Sequence, residues 1–83
     1  MQTNVEKFRS ELSKQIARLI NEGEADYMPP FTRMTPDGLA ERITAAFIRK
    51  SANKEEKGIQ RTCKALGIKH TYKAINDFLK EGA

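Results

Sequence analysis

The chain has 83 residues, 39% of them apolar and 31% charged, with no Trp, four Phe and a formal net charge of +4. A chain of this length builds one small core, which excludes two independent domains and leaves little volume for a substrate cleft. No apolar run approaches the roughly 18 residues of a membrane span, and no charged-then-apolar signal segment opens the chain, so a cytoplasmic protein without a membrane role is expected.

The first helix is predicted over residues 4–22. Thr3 and Glu6 have the spacing of a capping box, in which the hydroxyl accepts from the third helical amide and the carboxylate reaches back. Val5, Phe8, Leu12, Ile16, Leu19 and Ile20 then recur at helical intervals and form one apolar stripe, and Gly23 is a natural stop. Residues 23–35 are predicted to be a loop, because Pro29 and Pro30 remove amide donors and hold the chain extended. Tyr27, Met28, Phe31 and Met34 make this loop unusually apolar. They either close over the core or form a patch for a protein partner or a homodimer, which a chain of marginal size favours.

A second helix is predicted over residues 36–51, with Thr35 as N-cap, Pro36 at the first position and Asp37 at the positive end of the dipole. Leu39, Ala40, Ile43, Phe47 and Ile48 are its expected apolar face. Asn53 and Glu56 repeat the capping-box spacing, so a third helix is predicted over 54–66, burying Ile59, Cys63 and Leu66. Gly67 suits the left-handed residue that ends it, with Ile68 folding back toward Cys63. A fourth helix is predicted over 70–80, giving an all-α small bundle of four helices.

Charge is uneven along this sequence. Residues 1–41 hold five Lys/Arg and seven Asp/Glu, a balance of −2, whereas residues 42–83 hold ten and four, a balance of +6. Between Lys57 and Asn76 there is no acidic residue. On a helical wheel the fourth helix puts Ile75, Phe78 and Leu79, flanked by Tyr72 and Ala74, on one side. Lys69, His70, Lys73, Asn76, Asp77 and Lys80 lie on the other. Cations supply sequence-independent attraction to phosphate, and Asn and Lys are able to read purine edges in a major groove. DNA is therefore the leading expected partner, with Lys69, His70, Lys73 and Asn76 in the groove and Lys57, Arg61, Lys64 and Lys80 on the phosphate backbone.

The run from Ile59 to Leu79 resembles the helix-turn-helix superfamily of small bacterial and phage DNA-binding proteins. Residues 61–68, RTCKALGI, look like the first helix and turn, and residues 71–75, TYKAI, look like the body of a recognition helix. The resemblance implies a C-terminal helix-turn-helix-like unit, with the fourth helix in the major groove, the third bracing it, and a regulatory or accessory role. Tyr72 and Ile75 stand one residue earlier than the apolar positions that follow the turn Gly in that family, so either the turn is shortened or the helix crossing differs. Gly67-Ile68 also resembles the start of a helix-hairpin-helix turn, with Lys69 at its second Gly position.

Enzymatic chemistry has no motif here. No Gly-rich phosphate loop, nucleophile with a recognisable base, or apolar carboxylate pair is present, and one Cys with one His does not make a structural zinc site. No cofactor, metal or small-molecule substrate is expected. The rival expectations are a small adaptor or inhibitor docking through its helices and the 27–34 loop, and an accessory subunit of a nucleic-acid enzyme.

Overall fold

The structure, a computed structural model, describes residues 2–24, Tyr27 and residues 35–81. It is an all-α bundle: α1 spans Asn4–Asn21, α2 Pro36–Ile48, α3 Lys57–Leu66 and α4 Tyr72–Glu81, with no strand among the described residues. The expected class is therefore what is observed, and Met28, Phe31 and Met34 lie outside the described residues.

Helix α1 is the hub. It packs against each of the other three helices, α4 also touches α2, and the consecutive pair α3 and α4 are joined through α1 rather than by a broad contact with each other. The apolar stripe explains this role. Phe8, Leu12, Ile16 and Leu19 are fully buried, and they meet Ala40 and Phe47 of α2, Ile59 and Cys63 of α3, and Ile75 and Leu79 of α4 in one core. The Phe8 and Phe47 rings meet edge to face with centroids 6.2 Å apart. Gly58 lets α3 approach closely: a Cβ there would stand 3.1 Å from Leu12 Cδ1.

The helix starts obey local chemistry. The Thr3 hydroxyl accepts from the Glu6 amide at 3.1 Å and Thr35 does the same for Gly38 at 3.1 Å. In the first case the Glu6 carboxylate accepts from the Thr3 hydroxyl at 3.4 Å instead of reaching the Thr3 amide. At the other end of α1, Gly23 is left-handed (φ 84°), and Glu24 N–H donates to the Leu19 carbonyl at 3.0 Å, closing a Schellman motif.

Three helix boundaries differ from the sequence expectation by two residues or more, each for a local reason. Helix α2 stops at Ile48 rather than residue 51, because Lys50 adopts φ 60° and Ser51 N–H donates to the Ala46 carbonyl at 2.8 Å. This is a Schellman closure with lysine where glycine is usual. Helix α3 starts at Lys57 rather than Lys54, because Asn53 Oδ1 accepts from the Glu55 amide at 3.0 Å and makes an Asx turn; Glu56 becomes the N-cap, accepting from Gly58 N–H at 3.2 Å. Helix α4 starts at Tyr72 rather than His70, because the Thr71 hydroxyl caps it, accepting from the Ala74 amide at 3.1 Å.

Burial corrects two further expectations. Ile48, assigned to the apolar face of α2, is 56% exposed, while Thr44 is buried with its hydroxyl donating to the Ala40 carbonyl at 2.7 Å. Tyr27, a candidate for a partner or dimer surface, is a core residue: it is 6% exposed and its hydroxyl oxygen accepts from Gly58 N–H at 3.0 Å.

Candidate nucleic-acid interface

The candidate surface is built on the α3–turn–α4 segment. Helix α3 ends at Gly67 (φ 70°), and Ile68 N–H returns to the Cys63 carbonyl at 2.9 Å, which turns the chain and seats Ile68 against the core. Thr71 N–H then donates to the Lys69 carbonyl at 2.9 Å, so the link into α4 is tight. Ile75 and Leu79 anchor α4 in the core and Phe78 packs on its edge, with the Phe78 carbonyl accepting from Asn4 Nδ2 at 2.9 Å. The opposite side of α4 faces solvent, as the wheel requires.

The eight residues assigned to DNA do not form one set. Lys64, Lys69, Lys73 and Lys80 are exposed. Lys73 pairs with Asp77 one turn along, at 3.0 Å, and its side chain stays 86% exposed. No ion pair reaches Lys64, Lys69 or Lys80 among the described residues. Lys57 and Arg61 face the C-terminal end of α1 instead. Lys57 Nζ lies 2.8 Å from Glu24, and Arg61 grips Glu22 through two bonds of 2.6 and 2.8 Å. The Arg61 hydrogen bond holds the Glu22 carboxyl below its ordinary range, and the same bond pushes the Arg61 guanidinium up.

His70 and Asn76 also depart from the outward face. His70 is half-buried, and its Nε2–H donates to the Lys54 carbonyl, tying the turn to the α2–α3 connection. A carbonyl only accepts, so this bond fixes the proton on Nε2. Asn76 is half-buried on the flank of α4 beside Tyr72, Phe47 and Lys50. Tyr72, expected on the apolar side, is 45% exposed. Its hydroxyl accepts from Lys54 N–H at 3.3 Å, and its ring lies 6.1 Å from Phe47 and 5.9 Å from the Lys54 ammonium.

Cys63 is buried, and burial pushes its thiol up, away from nucleophilic use. Among the described residues, no group of His, Cys, Asp and Glu is arranged to hold a metal ion, and no helix is long and apolar enough to cross a membrane. Sequence reasoning missed one surface: a furrow where Val5 of α1, Ile48 of α2 and Asn76, Leu79 and Lys80 of α4 meet beside Lys50. Its only local signal is Ile48 directly before Arg49-Lys50, since the residues that line it come from three separate stretches.

The fold and surface together define a small all-α protein with a cationic turn and helix. No family model, no curated protein and no solved structure matches this chain.

Proposed function

We propose that this chain is a non-catalytic DNA-binding protein with a regulatory or accessory role in the cytoplasm, using α3 and α4 as a helix-turn-helix-like unit. The supporting observation is a single one: Lys64, Lys69, Lys73 and Lys80 stand exposed on the α3–turn–α4 segment, and no carboxylate lies between Lys57 and Asn76 in the chain. Phosphate attraction needs such a face, with its apolar side committed to a core. In this arrangement the outward edge of α4, Lys73 with Asn76 at its border, enters a DNA groove, while Lys64, Lys69 and Lys80 hold phosphates. His70 is a positioning residue that fixes the turn through the Lys54 carbonyl.

The test is a mobility-shift titration on random-sequence duplex and single-stranded DNA with wild type and Lys69→Glu/Lys73→Glu. Both lysines are exposed, so the variant keeps its helical circular dichroism. Loss of retention at an intact spectrum supports α4 as the contact surface, and unchanged retention removes it. The rival docking surface over residues 27–34 gains nothing from Tyr27, whose side chain belongs to the core.

A further inference from the structure

We propose that the furrow between α1, the end of α2 and α4 is a docking site for an acidic amphipathic segment of another protein. Its floor is aliphatic: Val5, Leu79 and Ile48, the last 56% exposed and one of two large apolar side chains left at the surface among the described residues. Lys50 and Lys80 stand at its rim and Asn76 on its wall. The other exposed apolar residue, Tyr72, borders an adjoining depression that shares Lys50 and Asn76. The two depressions adjoin across Lys50 and Asn76, and no carboxylate lines either one.

A second observation marks the same place. Lys50 holds φ 60° at the position that closes α2, where glycine carries no steric penalty and lysine does. A left-handed lysine on the rim of an apolar furrow places a cation there at a cost to stability. A helix or turn bearing Leu- or Ile-type anchors beside Glu or Asp satisfies both features: the anchors cover Ile48 and Leu79, and the carboxylates meet Lys50 and Lys80.

Other occupants fit less well. Nucleic-acid bases need a free ring to stack on, and the one exposed ring here, Tyr72, is engaged by Phe47 and Lys54, with its hydroxyl used by Lys54 N–H. A second copy of this chain, joined across a two-fold axis through this furrow, would set one cationic rim of Lys50 and Lys80 against the other. The furrow shares Lys80 and Asn76 with the proposed DNA surface, so an acidic segment seated here competes with DNA at those two residues, while Lys64, Lys69 and Lys73 lie outside it.

The experiment is selection of a random-peptide phage library on the immobilised full-length protein, followed by fluorescence anisotropy with the most enriched peptide. Enriched sequences are expected to carry apolar residues three or four apart with Asp or Glu beside them. Affinity is expected to fall about tenfold or more in Ile48→Glu and about threefold to tenfold in Lys50→Gly, which relaxes the backbone and keeps the fold. DNA retention is expected to persist in Lys50→Gly, a position outside the proposed DNA surface. Failure to enrich acidic sequences, or equal affinity in Ile48→Glu, overturns the proposal. So does a wild-type dimer mass that Ile48→Glu abolishes.

Discussion

The salt dependence of DNA affinity discriminates between two states of the cationic face. If the Glu22–Arg61 and Glu24–Lys57 pairs persist in the complex, the phosphate contacts come from Lys64, Lys69, Lys73 and Lys80. Four contacts give a slope of log K on log salt of about −3.6, so affinity falls roughly 150-fold between about 50 and 200 mM salt. If Lys57 and Arg61 leave their carboxylates for phosphate, six contacts give a slope of about −5.4 and a fall of roughly 1,800-fold. Reversing Lys69 and Lys73 leaves two of the four contacts and lowers the slope to about −1.8 before the added repulsion is counted. Fluorescence anisotropy with a labelled duplex across that salt range measures all three. A slope of magnitude below about 1 refutes the DNA assignment, because such binding releases almost no counterions. A slope steeper than about −5 refutes the persistence of the two α1–α3 ion pairs.

Four other outcomes are expected. Lys50→Gly removes the left-handed strain and raises stability by about 1 kcal/mol despite the added freedom of the unfolded chain, read as a shift in the urea midpoint; a lower midpoint contradicts it. Gly58→Ala puts a methyl 3.1 Å from Leu12 Cδ1, and Leu12 is fully buried, so the overpacking outweighs the gain in helix propensity and stability falls by about 1 kcal/mol; a raised melting temperature would count against close α1–α3 packing. Glu22 has a folded pKa held below its ordinary value by Arg61, so its contribution is present above the unfolded pKa and is lost as pH falls through the folded one. Arg61→Gln is therefore expected to flatten the fall in urea midpoint below about pH 5, modestly because both groups are exposed, and an unaltered acid limb would show the pair to be energetically silent. Buried Cys63 is expected to resist a water-soluble thiol reagent in the native protein and react at once in denaturant; rapid native labelling would place it at the surface.

What the sequence discloses divides by range of interaction. Thr3, Thr35 with Pro36, Gly23 and Gly67 act on amides within five residues, so their caps and stops are legible one residue type at a time. The apolar stripe of α1 is equally plain, because period and burial coincide from Phe8 to Leu19. The α3 start was misplaced because Asn53 has two local uses, helix cap or Asx turn, and nothing nearby favours one. The closure at Lys50 was invisible because lysine rarely adopts a left-handed backbone. The face of α4 was read correctly for Lys73 and Ile75, but His70 and Tyr72 were not, since their partners on Lys54 come from the α2–α3 connection. The grip of Arg61 on Glu22 spans 39 positions and has no local trace at all.

That grip changes what the charge asymmetry means. In sequence, an acidic first half beside a basic second half suggests that the whole second half is free to attract a polyanion. In the fold, the C-terminal end of α1 brings Glu22 and Glu24 onto Arg61 and Lys57, so the N-terminal part of α3 is locally neutralised. The cations of this segment without an ion pair among the described residues, Lys64, Lys69 and Lys80, follow the last turn of α3, the Gly67 turn and the end of α4. Attraction to phosphate is thereby concentrated where the chain turns and where α4 faces water, and kept away from the seam that holds α3 on α1. Salt screens the exposed ion pairs of that seam too, but buried Leu12, Ile16 and Ile59 keep its geometry, whereas the lysines of the turn and α4 lose their hold on an anion. If α3 and α4 contact DNA as proposed, helix packing and anion contact are served by different cations, and DNA affinity varies with salt over a range in which the α1–α3 contact, anchored by buried Leu12, Ile16 and Ile59, does not.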